Sequence, residues 1–172
     1  MIKNLSRSLK YRLFYGYCRR LENRKRGKLK PLAWEPDDDA GRTLVVSITA
    51  EDDGLLYYQL QSARRQSASL PPLRVYCDNE RTRDSVCSWL RFGAGSEAVR
   101  VSVWRECLER LSPAERAWIE TWARSEPWGG YATKFATTLA ENRDRAILMT
   151  DADILWRGAI RDLSGWEDTA GP

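Results

Sequence analysis

Residues 43–49 (TLVVSIT), 73–77 (LRVYC), 98–103 (AVRVSV) and 146–150 (AILMT) are short apolar or β-branched runs of strand length. Helical spacing fills most of the chain between them. Leu56, Leu60 and Ala63 mark one side of 55–67, and Val86, Trp89 and Leu90 one side of 81–92. Residues 104–111 read as a short helix. Ser112-Pro113-Ala114-Glu115 is a helix start, with Ser as N-cap, Pro in the first turn and Glu three residues on. That helix carries Trp118, Ile119 and Trp122 and ends near Pro127. Residues 131–142 form the next, with Phe135, Ala136 and Leu139 facing inward. Strands that alternate with helices form βαβ units, and βαβ units build a parallel sheet covered by helices. The fold class predicted is α/β, a Rossmann-like, mainly parallel sheet with flanking helices.

Polar or acidic residues follow three of the four strands: Glu51-Asp52-Asp53, Asp78-Asn79, and Asp151 with Asp153. In a parallel sheet these positions share one edge, where open α/β sheets hold their ligands. Asp151 and Asp153 are the sharpest pair. Two carboxylates one residue apart at a strand end repel each other, and a hard Mg²⁺ or Mn²⁺ relieves that repulsion while also binding phosphate oxygens. The bland alternative is a solvated turn or a cap, which is where most Asp-x-Asp pairs occur. Here the pair lies between the run 146–150 and Ile154-Leu155-Trp156, which is no setting for a solvated loop.

The chain has no histidine, so Ser-His-Asp and Cys-His catalysis and every His-ligated metal are excluded. Its four cysteines (18, 77, 87 and 107) lack Cys-x-x-Cys spacing, which argues against a zinc site and a disulfide framework and for a reducing, cytoplasmic setting. No run approaches the ~20 apolar residues of a membrane span. Eight tryptophans in 172 residues are expected to be buried or to line a groove.

Charge divides the chain. Residues 1–30 hold eleven of the 28 Lys/Arg and only one acid, Glu22, of 24, a net of +10 that leaves −6 for the remainder. Leu5, Leu9, Leu13, Tyr17 and Leu21 recur every four residues in 2–21, predicting a basic amphipathic helix. Such a helix packs on its own domain, lies peripherally on an anionic membrane, or binds phosphate backbones; nucleic acid ranks last of the three. Residues 24–30 read as a tether and 31–41 (PLAWEPDDDAG) as a linker, so the α/β domain is expected over 42–172.

Tyr131-Ala132-Thr133-Lys134-Phe135, the helix they begin, and ILMTDADILW at 147–156 together carry a resemblance. This stretch resembles the N-terminal nucleotide-sugar-binding half of GT-A-fold glycosyltransferases, in particular the family 8 group of glycogenin-like and lipopolysaccharide sugar transferases. The likeness covers about residues 42–160. It implies a nucleotide-sugar donor, most often a UDP-sugar, and a glycan, lipid-linked or protein acceptor. Asp153 would ligate the bridging Mn²⁺ or Mg²⁺, and Asp151 would share that metal and reach the ribose. Lys134 would lie near the donor phosphates or sugar, and Thr49 with Asp78 near the nucleoside. As a surface lysine and a turn aspartate, Lys134 and Asp78 also have ordinary structural readings. The family's later half brings acceptor residues and a third metal ligand, often His. Residues 165–172 do not read as a finished element, so the domain is expected to continue beyond Pro172. Two other functions compete with sugar transfer: a haloacid-dehalogenase-like phosphatase with an Asp-x-Asp nucleophile, and a nucleotide-binding or membrane-surface module without turnover.

Overall fold

The computed structural model describes residues 29–36, 42–50, 52–67, 69–93, 97–125, 129–143, 146–153 and 155. The chain divides into two compact units, 1–30 and 31–172. The basic amphipathic helix expected over 2–21 lies outside the described residues.

Within the second unit the elements run β1 (Leu32–Ala33), β2 (Thr43–Ile48), α1 (Asp53–Gln66), β3 (Leu73–Cys77), α2 (Glu80–Trp89), β4 (Leu90–Arg91) and β5 (Val99–Val103). A 3₁₀ segment (Trp104–Arg110), α3 (Pro113–Ala123), α4 (Gly129–Glu141) and β6 (Ile147–Thr150) follow. All four strands expected from the sequence are present. They form one parallel sheet in the order β5-β3-β2-β6. In chain order that is 3-2-1-4, so the strand order reverses between β2 and β6 while every pairing stays parallel. The architecture is Rossmann-like in general terms, a frame that hosts many unrelated functions.

The ends of the elements follow local chemistry. Asn79 caps α2, accepting from the Thr82 N–H at 3.0 Å. The capping box at α3 forms as read: Glu115 accepts from the Ser112 N–H at 2.8 Å, and the Ser112 hydroxyl accepts from the Glu115 N–H at 3.4 Å. These Ser112 contacts, with the Arg143 guanidinium, push the Glu115 carboxyl down to about 2. Residues 104–110 form a 3₁₀ segment rather than an α-helix.

Residues 31–36, read as part of a linker, are packed. Leu32 and Ala33 pair with Leu90 and Arg91 in a second, two-stranded parallel sheet. Trp34 is fully buried, and its indole N–H donates to the Pro71 carbonyl at 2.9 Å. A tryptophan between two prolines is what ties this segment down.

One face of the sheet packs on α3, α4 and the 3₁₀ segment. Val45 and Tyr76 meet Trp104, Leu108 and Ile119 there, together with the stripe Ala132, Ala136 and Ala140. The inward side of α4 is therefore made of small residues. Phe135, expected to face inward, is half exposed and meets Trp118 and Trp122 edge to face instead, centroids 5.8 and 5.3 Å away. Ser47 and Thr137 are joined at 3.1 Å where α4 crosses β2.

Glu141, the last residue of α4, is buried with a charge. It accepts from the Tyr76 hydroxyl at 2.5 Å and from Arg110 at 2.5 Å, and its second oxygen faces Arg74 at 3.8 Å. Arg74 and Tyr76 lie two apart on β3, so their side chains share the face that α4 covers.

Candidate functional site

The carboxyl ends of β2, β3 and β6 bring Thr49, Asp78, Asp151 and Asp153 to one edge of the sheet. Strands β2 and β6 pair only as far as Val46 and Thr150, whereas β2 continues beside β3 to Ile48 and Cys77. Strands β2 and β6 thus part company one residue before Asp151. A parallel sheet opens a ligand crevice at such a reversal of strand order.

Two side chains hold Asp151 there. Alternation along β6 sends the Thr150 side chain to the α1 face of the sheet and Asp151 to the α4 face. From the α1 side the Gln59 amide donates to Thr150 Oγ1 and to the Asp151 carbonyl, both at 2.8 Å. From the α4 side the Lys134 ammonium is ion-paired with Asp151 Oδ1. Lys134 lies 6.0 Å from the Tyr131 ring, one turn earlier on the same helix face. Both members of the ion pair are open to solvent, at 36% and 56% exposure. Chain direction then changes at Ala152, which is buried, and leaves Asp153 exposed.

The β2–β3 side of the edge is bonded to itself. Thr49 Oγ1 donates to Asp52 at 2.7 Å. Asp78 accepts from the Ala50 N–H at 3.3 Å and from the Thr82 hydroxyl at 2.5 Å, so both of its oxygens are engaged in shaping the loops. Asp53, read as part of a polar loop, is the first residue of α1 and buried, where Ser85 donates to it at 2.5 Å. Burial pushes the Cys77 and Cys107 thiols up to about 12, which keeps both protonated and rules them out as thiolate nucleophiles.

The structure therefore brings Lys134 and Asp151 into contact, leaves Asp153 two residues along the same turn, and places Thr49 and Asp78 on the neighbouring strands. Among the described residues no three of Asp, Glu, Cys or His gather as a metal cage. Two exposed carboxylates on one turn fit a different arrangement, in which Mg²⁺ or Mn²⁺ takes one or two carboxylates and completes its shell with phosphate and water. Gln59 was missed by sequence reasoning, although its signal was legible. It falls beside Leu56, Leu60 and Ala63 on the inward side of α1, and a polar residue on a buried stripe needs partners.

No helix among the described residues is long and apolar enough to cross a membrane. No family model, curated protein or solved structure matches the chain.

Proposed function

We propose that this chain is a metal-dependent glycosyltransferase, or the donor-binding half of one, acting on a nucleotide-diphosphate sugar such as a UDP-sugar. The observation that carries the reading is Asp151, set where β2 and β6 diverge with its carboxylate on Lys134 and Asp153 two residues on. Asp151 and Asp153 would hold a divalent cation together with diphosphate oxygens. Such a cation supplies positive charge where the departing diphosphate gathers negative charge. Lys134 adds an ammonium within one side chain of the same place. Thr49 offers a hydroxyl at the end of β2, and Asp78 holds the β2 and β3 loops on which the nucleoside would lie.

Titration calorimetry of UDP, with and without Mn²⁺, tests the reading. UDP binding is expected to require Mn²⁺. Asp153→Asn, which keeps the shape and loses the charge, is expected to weaken it at least tenfold with unfolding unchanged, because a hard cation needs the carboxylate charge. Unaltered Mn²⁺-dependent affinity in Asp153→Asn removes the assignment.

A phosphatase reading draws on the same contact, since an exposed carboxylate beside a lysine also suits a nucleophile that forms an aspartyl-phosphate. It predicts that Asp151 takes up beryllofluoride with Mg²⁺ and that UDP does not bind.

A further inference from the structure

We propose that Gln59 is the positioning residue of the cation–diphosphate site, fixing the main chain of Asp151 so that the Asp151 and Asp153 carboxylates stand ready for one cation. The proposal rests on the reading above and adds to it a residue from a different helix.

Gln59 is fully buried on α1, more than ninety residues from its partners in sequence. Its orientation is fixed by chemistry. The Asp151 carbonyl can only accept, so the group facing it must be the amide NH₂. The same nitrogen uses its second N–H on the Thr150 hydroxyl. The amide oxygen has no hydrogen-bond partner among the described residues. An amide buried with half its capacity unused is destabilising by itself, since a buried polar group without a partner loses its hydration and gains no bond in return. The fold keeps it where the ladder between β2 and β6 has stopped. Beyond the Val46–Thr150 pair, the Gln59 amide does for the Asp151 carbonyl what a strand neighbour would otherwise do.

Consequences for the site follow from alternation. Holding the Asp151 peptide fixes the direction in which its carboxylate leaves the sheet, toward Lys134, and fixes the start of the turn that carries Asp153. Displacements near 1 Å at such a centre cost about a hundredfold in function. Release of the Asp151 carbonyl is thus expected to lower cation-dependent affinity far more than it lowers the affinity for nucleotide alone.

Three full-length variants test this. Gln59→Glu is isosteric but sets a carboxylate against the Asp151 carbonyl. Gln59→Met removes both donated hydrogen bonds at similar volume. Gln59→Met with Thr150→Val also removes the stranded hydroxyl and is expected to recover the part of the stability that the single change lost at Thr150, because deleting both partners of a buried bond is nearly neutral. UDP titrations with and without Mn²⁺ are read beside urea unfolding for each. All three are expected to lose at least tenfold in Mn²⁺-dependent UDP affinity, and the double variant is expected to keep that loss after its stability returns. Recovery of affinity together with stability would show a merely structural glutamine and overturn the proposal. Equal affinity in wild type and variants overturns it as well. A wild-type chain that binds UDP without regard to Mn²⁺, or does not bind it, removes the glycosyltransferase reading and this proposal with it.

Discussion

Glu141→Gln removes one charge from the interior and almost no volume. The carboxylate is 1% exposed and receives hydrogen bonds from Tyr76 and Arg110, with Arg74 opposite its other oxygen. Burial and the bond to Glu141 in turn raise the Tyr76 hydroxyl pKa well above its ordinary value, so the phenol remains a donor. In Glu141→Gln, one amide group must face several donors with a single accepting oxygen, and Arg74, itself buried, loses the charge opposite it. Removing one partner from a buried ionic group typically costs about 3–5 kcal/mol. A domain of this size holds ~5–15 kcal/mol in all. At about 2–4 °C per kcal/mol, the thermal midpoint is expected to fall by ~6–20 °C. Tyr76→Phe alone is expected to cost about 1.5–3 kcal/mol, the range for a hydrogen bond to a charged group. Since the two share one contact, the double variant is expected to cost less than the sum, with a coupling of ~1–3 kcal/mol. Urea unfolding of wild type, both singles and the double measures the cycle. A Glu141→Gln cost below about 1 kcal/mol, which is the scale of an exposed pair, or zero coupling, would refute the view that this network holds the end of α4 to the sheet.

Three further expectations concern other parts of the domain. Lys134→Met frees the Asp151 carboxylate and removes a competing positive charge, so Mn²⁺ alone is expected to bind about 2–5-fold tighter, the worth of a solvent-exposed ion pair. Mn²⁺-dependent UDP binding weakens in the same variant, and unchanged Mn²⁺ affinity by titration counts against the pair. Stability in base depends on Cys77 and Cys107, whose folded pKa values near 12 lie above an ordinary 9. Their contribution is complete below pH 9 and is lost as pH rises toward 12, at up to ~1.4 kcal/mol per pH unit for each thiol; urea midpoints between pH 8 and 11 should fall less in Cys77→Ala/Cys107→Ala than in wild type. Trp34→Ala is expected to cost about 3–5 kcal/mol, the range for a buried tryptophan, whereas a midpoint that does not move would mean that residues 31–36 are not part of the fold.

The strands were legible because buried parallel strands are written as β-branched, apolar runs, and TLVVSIT and ILMT announce themselves. Their lateral order was not. Runs buried on both faces carry no mark of which neighbour they take, so the reversal between β2 and β6 emerges only in three dimensions. Asp151 and Asp153 stood out by chemistry. Gln59 did not, because helix reading weighs apolar positions and passes over a polar residue among them. Phe135 was misplaced for a related reason. Ranking by hydrophobicity prefers phenylalanine to alanine, yet the buried stripe of α4 is Ala132, Ala136 and Ala140. The segment 31–36 looked like a linker because its prolines and acids outweighed one tryptophan.

That alanine stripe has a mechanical meaning. A helix resting on a sheet through leucines is cushioned by side chains that can change rotamer and absorb small displacements. Alanine has no rotamers to change, so the height of α4 above the sheet is set by three methyl groups in one cluster with Val45 and Tyr76 and by the bond between Ser47 and Thr137. Lys134 stands on that helix between Ala132 and Ala136, and the reach of its ammonium toward Asp151 is measured from this fixed height. Tolerance at the crevice is thereby governed by three methyl groups that touch no ligand.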